Sequence, residues 1–551
     1  MQDKTVDQQE IEWQLYAPDL ELVENWLEEH PSTSGLSVLP GATKELTDTY
    51  YDTEDWRFYR AGYALRLRRD GNDAEATMKS LEPAEGALRR RREISEPLEG
   101  NAENPKGSPG AVGERVRRLA GTRDLRPLFE IRTRRRTFVL RSEKASAVAD
   151  RSSGEVVEDA LGGIRAREVE SGAAIGELAL DEAKIFGDGE APVHLSRIEV
   201  EVTRDAAPLD DVEEFVDDLR SALSLQPTGA SKFGTGLSAA GLSPAVAPDL
   251  GPTLVDASLS AGEVAFAVLR RHFAVMLAHE PGVRLGDDPE ELHDMRVATR
   301  RLRAALKLYA DALPRRAEQY ERDLRFVASA LGEVRDLDVH LERLAEEGSR
   351  SGEALEEVVA RLEERRAAAR RRMLEILDSK RYERLVSNFT GTLRRGRSRS
   401  PVDSILDAAP ILVRRRYKKV RKGMKALTED SPPEDFHDVR KKGKRLRYAL
   451  EPLQEIYGKP AEDMVKLLKA IQDDLGDHQD LVVSAALMEE LGVAGDLPPR
   501  AVFLMGSMAG RYARDAAEKR VSFLGSKSFR TLRGGKPWKK LRKVMEKRAE
   551  G

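Results

Sequence analysis

Glu10 and Glu12, Arg66 and Arg68, and Glu199 and Glu201 are pairs of like charges spaced two residues apart. Extended chain sends alternate side chains to opposite faces, so each pair shares a face. The pairs lie in short runs of alternating type, among them Glu10 to Leu15, Tyr63 to Arg69, Glu75 to Lys79, Leu88 to Ser95, Phe129 to Leu140 and Leu195 to Val202. On a single strand this is the wet side of an ordinary sheet. Repeated from strand to strand with both signs present, it predicts a sheet closed into a barrel, whose lumen gathers acids and bases.

A different constellation stands in the second half. His293, Arg296, Arg300, Arg303 and Lys307 follow one another at steps of three and four, which places them on one stripe of a helix. The row recurs 144 positions later as His437, Arg440, Lys444 and Arg447, with Glu451 at the next position. The same offset relates Leu331, Gly332, Asp336 and Leu337 to Leu475, Gly476, Asp480 and Leu481, so two copies of one helical unit are expected. Like charges on a solvated helix face are normally relieved by interleaved acids, and Asp294 and Asp438 sit off the stripe. An anion supplied from outside would relieve the row, and guanidinium forks in a long line suit a polymeric phosphate. Nucleic acid competes for such a row. It is disfavoured because no nucleic-acid motif accompanies the stripes and few aromatics stand beside them as stacking platforms.

These residues need two kinds of scaffold. A chain of 551 residues exceeds one core and predicts two domains. Charged residues reach 34%, but with 40% apolar the chain can still bury cores beneath a charged surface. The net charge of -4 averages basic clusters against acidic segments and says little about partners. Absence of cysteine excludes disulfides and thiolate ligands, leaving oxygen or imidazole for any metal. Met1 to Gln9 lack the layout of a signal peptide and no apolar run approaches about 18 residues, so a cytoplasmic protein without a membrane segment is expected. Gly100 to Gly113 and Asp150 to Gly187 read as loops or insertions, Leu209 to Leu223 as a helix, and Gln226 to Gly236 as turns. The proline-bearing stretch around residues 243–257 reads as a linker between a first domain, 1–242, and an all-helical second domain, 258–548, interrupted at Pro281, Pro314, Pro401 and Pro432.

The sequence His-Asp-Met-Arg-Val-Ala-Thr-Arg-Arg-Leu-Arg at 293–303, its partner at 437–447 and the two Leu-Gly…Asp-Leu segments resemble the CHAD family. The resemblance implies a pseudo-symmetric pair of four-helix bundles around a basic surface that binds inorganic polyphosphate, with the two stripes as the binding residues. A protein associated with polyphosphate granules is then expected.

The first half resembles the CYTH family of triphosphate tunnel metalloenzymes. The matching pieces are Glu-Ile-Glu-Trp-Gln at 10–14, Tyr-Tyr-Asp-Thr at 50–53, Ala-Leu-Arg-Leu-Arg at 64–68, Thr-Met-Lys at 77–79, Arg-Arg-Glu at 91–93, Arg-Ile-Glu-Val-Glu at 197–201 and Ser-Lys-Phe at 231–233. The resemblance implies an eight-stranded antiparallel β tunnel, hence an α+β two-domain chain, in which bases clasp a triphosphate and acids hold Mg²⁺ or Mn²⁺. Carried over, Arg66, Arg68, Lys79, Arg91 and Lys232 contact phosphate, joined by Arg134 or Arg135. Glu10, Glu12, Glu199 and Glu201 hold the metal, with Asp181 or Asp150 as a further acid. Metal-dependent hydrolysis of inorganic triphosphate or a related triphosphate follows, against two alternatives: a non-catalytic polyphosphate-binding protein, and an adenylate cyclase. The family signature is Glu-x-Glu-x-Lys, and here Gln14 stands at the lysine position.

Overall fold

The computed structural model describes residues 6–98, 104–142, 174–187, 191–202, 209–244, 248–347, 353–398, 404–494 and 497–550. The chain divides into two compact units, Met1–Val246 and Ala247–Gly551.

The first unit is built on eight long strands: β1 (Val6–Tyr16), β2 (Leu36–Asp52), β3 (Tyr63–Asp70), β4 (Asp73–Ser80), β5 (Leu88–Leu98), β6 (Arg126–Ser142), β7 (Ala174–Phe186) and β8 (Val193–Val202). Their order is β1-β5-β4-β3-β2-β6-β7-β8, every neighbour is antiparallel, and β8 returns to β1 to close the barrel. Closure leaves one face of each strand in the lumen and one outside. The outward residues of β1, Trp13 and Leu15, pack with Leu20, Val23 and Leu27 of helix α1 (Leu20–Glu29). Helix α2 spans Ala111–Ala120, and α3 (Leu209–Leu223) adds Val212, Phe215 and Leu219 to the same cluster. This core lies outside the barrel wall, which frees the lumen to be polar.

Two segments differ from their expected form. Ala174–Phe186, inside the stretch read as an insertion, is the strand that carries Asp181; its Leu178, Ala179 and Leu180 are apolar in a row, which masks the alternation. Asp150 lies outside the described residues. Gln226 to Gly236, read as turns, contains the start of helix α4 (Lys232–Ala239), whose N-cap Ser231 accepts from the Gly234 amide at 3.1 Å. Gly236 lets α4 lie flat on β6, since a Cβ there would come within 2.1 Å of the Phe129 ring. Gly236→Ala is therefore expected to destabilise the first unit by about 1–3 kcal/mol through overpacking, read as a lowered unfolding midpoint.

The second unit is helical throughout. Its first repeat comprises α5 (Ala261–Leu285), α6 (Pro289–Leu308), α7 (Ala317–Glu347), α8 (Glu353–Leu377) and α9 (Lys380–Arg395). Its second comprises α10 (Ile405–Ala426), α11 (Pro433–Leu450), α12 (Lys459–Val493), α13 (Pro499–Gly525), α14 (Lys527–Gly534) and α15 (Lys536–Glu550). Helices α5 and α10 begin 144 residues apart, as do α6 and α11. Within each repeat the first three helices pack in sequence, α5 on α6 on α7 and α10 on α11 on α12, and a late helix, α9 or α15, closes the bundle. One apolar core runs through both bundles. A second, smaller one joins the far ends of α7, α8, α12 and α13 through Leu344, Val358, Leu362, Met488 and Met505. Pro281, expected to interrupt a helix, lies inside α5. Pro314 and Pro432 fall between helices, and Pro401 lies outside the described residues.

Candidate functional site

Register brings the charged pairs together. Across β1 and β5, Glu10 stands opposite Arg91; across β2 and β3, Asp48 opposite Arg68; across β6 and β7, Arg135 opposite Asp181. Across β1 and β8, however, Glu12 faces Glu201 and Gln14 faces Glu199. The inward side chains surround a cavity of about 160 Å³ lined by Glu10, Glu12, Gln14, Arg66, Arg68, Lys79, Arg91, Arg135, Glu199, Glu201 and Lys232. Of the two arginines left open by the sequence, Arg135 faces inward. Arg134 points out, with its Nε 3.9 Å from Glu45.

Acids and bases in the lumen are interlocked. Lys79 Nζ lies 2.6 Å from Glu10 and 3.1 Å from Glu93. Arg91 pairs with Glu12 and stands 3.6 Å from Glu10. Arg68 holds Asp48 in a fork at 2.8 and 2.9 Å. Arg66 reaches Asp48 at 3.9 Å and Glu93 at 3.7 Å. Arg135 forks onto Asp181 at 2.8 and 2.7 Å and meets Glu199 at 2.5 Å. Lys232 pairs with Asp181 and lies 3.0 Å from Glu199. As the first residue of α4, this lysine opposes the helix dipole, and the two carboxylates offset that.

The titration of these groups follows their partners. Burial alone would raise Glu93, but Lys79 and Arg66 overcome it and bring the carboxyl down to about 2. Asp48 is likewise held low by Arg68 and Arg66 against its burial, and Glu199 by Lys232 and Arg135. Glu201 is different. Burial and the charge of Glu10 push it up to about 7, and among the described residues no cation pairs with it. Glu10 Oε2 is also buried without a hydrogen-bond partner.

Among the described residues no three acidic or imidazole groups converge as a finished metal cage. Glu10, Glu12 and Glu199 hold ammonium or guanidinium groups instead. Asp181, expected among the metal acids, does not line the cavity; it is fully buried and anchors Arg135 and Lys232. What remains at the β1/β8 seam is a cluster of hard oxygens in which Glu201 has no paired cation, Glu12 stands opposite it, and Glu10 Oε2 makes no hydrogen bond and has only Arg91 Nε at 3.6 Å. Like charges directly opposite on a sheet repel. This donor set suits a small divalent cation such as Mg²⁺ or Mn²⁺.

Several charged residues in the lumen network or packed beside it stand outside the sequence-based set. Asp48 and Glu93 alternate in register with Tyr50 and Arg91, so the same period-two reading would have found them. Arg197 and Arg89 alternate with Glu199 and Arg91 and are nearly fully buried.

In the helical unit, α6 and α11 pack side by side, and Arg300 Nε donates to the Tyr448 hydroxyl at 2.8 Å. The basic stripes are relieved unevenly. Glu321 of α7 takes Arg303 at 3.1 Å and Lys307 at 2.9 Å, so the end of the first row is neutralised by a tertiary neighbour rather than left bare. Arg296 meets Asp336 at 3.0 Å, and Arg447 lies 3.6 Å from Glu451. Among the described residues Arg300, Arg440 and Lys444 pair with no carboxylate. Burial, then the charges of Arg300, Arg440, Arg296 and Arg447, bring Lys444 down to about 7. His293 and His437 are partly exposed at the starts of their rows, and His437 is held low by burial and by Lys441. The glycine of each Leu-Gly segment lies against an arginine of the stripe: a Cβ on Gly476 would meet Arg440 at a tight 3.0 Å, whereas one on Gly332 would touch Arg296 at an ordinary 3.6 Å.

Fold and site define a closed antiparallel tunnel with an acid–base lumen, followed by a duplicated helical domain with cations gathered where its halves meet. The chain carries a CYTH domain, matched over residues 9–233, followed by a CHAD domain, matched over 267–489. Two uncharacterized proteins from strains of Mycobacterium tuberculosis are each 26% identical over 508 residues, covering 89% of this chain and 91% of theirs. Among solved structures, the CHAD domain from the plant Ricinus communis is 28% identical, with a TM-score of 0.43, over 51% of this chain and 96% of that one. A putative adenylyl cyclase from Hippeastrum, described as having a dominant triphosphatase activity, is 17% identical with a TM-score of 0.29, over 43% of this chain and 98% of that one. No described helix is long and apolar enough to cross a membrane.

Proposed function

We propose that the tunnel hydrolyses inorganic triphosphate or a closely related triphosphate with a divalent metal, and that the helical unit binds polyphosphate. The observation that carries the reading is the exchangeable pairing of the lumen. Arg66, Lys79, Arg91, Arg135 and Lys232 are held by acids that would otherwise repel one another. A triphosphate supplies the same cations with phosphoryl oxygens, to which guanidinium forks are matched. The acids so released, Glu10, Glu12 and Glu199, then join Glu201 in need of positive charge. Substrate and metal each create the other's site.

Once the exchange is made, the arginines lie where charge develops on the transferred phosphoryl group, and they need no reorganisation to stabilise it. A bound Mg²⁺ or Mn²⁺, held by Glu10, Glu12, Glu199 and Glu201, would supply polarisation of the terminal phosphoryl group and a more acidic bound water. No side-chain nucleophile is required.

The expected result is phosphate release from tripolyphosphate in Mg²⁺ or Mn²⁺, abolished by EDTA and restored by excess metal. A panel adding long-chain polyphosphate, ATP and thiamine triphosphate fixes the preferred substrate, and absence of turnover across the panel sinks the hydrolytic reading. Gln14 favours the second reading, a polyphosphate-binding protein without turnover, because it removes a charge the family signature places in the lumen.

A further inference from the structure

Gln14 occupies the corner of the tunnel where β1 meets β8, and its surroundings explain how the chain does without a lysine there. Arg197, on β8 and two residues before Glu199, is 1% exposed. Its Nη1 donates to Gln14 Oε1 at 3.3 Å and its Nη2 to the Ala230 carbonyl at 2.9 Å. Thr228 Oγ1 stands 3.4 Å from the same Gln14 oxygen. Among the described residues no carboxylate pairs with Arg197, and its Nε is buried without a hydrogen-bond partner.

An amide whose oxygen is committed to donors on one side must present its nitrogen to the other. Gln14 Nε2 accordingly donates into the lumen, to Glu12 at 2.9 Å and towards Glu199 at 3.4 Å. These acids belong to the set that substrate and metal would redistribute. Gln14 lines the cavity; Arg197 stands behind it, outside the lining. A buried guanidinium without a direct ion pair is costly even with Glu199 and Asp181 nearby, and a charged donor strengthens the hydrogen bond passed on by the group it polarises.

We infer that Gln14 and Arg197 together replace the lysine of the family signature: Arg197 carries the positive charge on the inner face of the barrel just beyond the cavity lining, and Gln14 presents it to a phosphoryl oxygen as an oriented amide donor. Arg197 is thus a positioning residue for the triphosphate. The inference rests on the proposed triphosphate site and deepens it. It also states why a lysine cannot simply be put back, since an ammonium at position 14 would be buried against the guanidinium.

The test is a double-mutant cycle in the full-length protein, with kcat/KM for tripolyphosphate in Mg²⁺ or Mn²⁺ as the readout and circular dichroism to check folding. Arg197→Gln, which keeps a hydrogen-bonding side chain and loses the charge, is expected to lower kcat/KM roughly tenfold or more, as is Gln14→Lys. The double variant Gln14→Lys/Arg197→Gln is expected to recover to within about threefold of the unmodified protein, a sign reversal that additive structural damage does not produce. A folded double variant no better than its worse parent overturns the inference. Should Arg197→Gln fail to fold, Gln14→Met decides: it leaves Arg197 in place and removes the donor, so a roughly tenfold loss supports the inference and unchanged kinetics overturn it. If the unmodified protein shows no turnover, the hydrolytic reading fails separately, and the same cycle is read as tripolyphosphate affinity by calorimetry.

Discussion

Glu10→Gln is expected to lower metal-dependent phosphate release from tripolyphosphate by roughly 100- to 1,000-fold, the scale set by removing one preorganised charged or polar group from an active site. Glu10 is the point where the two halves of the lumen network meet. One of its oxygens holds Lys79 at 2.6 Å, and the other is buried without a hydrogen bond, 3.6 Å from Arg91 Nε and close to the charge of Glu201. A glutamine can keep the bond from Lys79 through its carbonyl oxygen but cannot share a divalent cation with Glu201. The barrel is expected to stay folded, and its unfolding midpoint in EDTA to stay level or rise, because the charge lost is one that repels Glu201. Metal affinity, followed by Mn²⁺ titration, should fall with the rate. Turnover unchanged by Glu10→Gln would remove the tunnel from consideration as the catalytic site.

Much of this site was legible in advance because a closed barrel obeys a strict period of two. Arg66, Arg68, Glu10, Glu12, Glu199 and Glu201 alternate with apolar partners that face outward, and register alone brings them into one lumen. Strand β7 escaped because three successive small or apolar residues precede Asp181, and both faces of that strand are covered. Asp181 lies among the expected residues but turned onto Arg135 and Lys232 rather than lining the cavity: which way a carboxylate is engaged depends on what stands across the strand, here Arg135. Arg197 stands in the Arg-Ile-Glu-Val-Glu motif, but spacing does not tell its role, since how deeply a side chain is packed beyond the cavity lining is a property of packing rather than of spacing. In the helical half the repeat was visible at a single offset, while the neutralisation of Arg303 and Lys307 was not. Glu321 lies on the next helix, and contact between helices is written in no periodicity of either one.

Because Glu321 occupies the end of the first stripe, the strongest effect on polyphosphate is expected from Arg300 and Arg440, which pair with no carboxylate among the described residues. Arg300→Glu combined with Arg440→Glu should weaken binding of long-chain polyphosphate by roughly 100-fold or more in moderate salt. It should also lower the slope of log affinity against log salt by about two, one for each phosphate that an arginine no longer neutralises. The same cluster predicts a pH dependence. Lys444 is brought from its ordinary 10.5 down to about 7, so the unfolded chain keeps a proton that the folded protein has lost between those values. Stability without ligand therefore rises with pH across that window. A polyanion reverses the preference by stabilising the ammonium against Arg296, Arg300, Arg440 and Arg447. Binding should then take up close to one proton at about pH 8 and weaken as pH rises beyond 7, measurable as a buffer-dependent heat in calorimetry. Lys444→Met should remove that proton uptake while leaving the arginines in place. If it persists in the variant, the coupled proton sits elsewhere, and if the double reversal leaves affinity intact, polyphosphate does not bind where the two repeats meet.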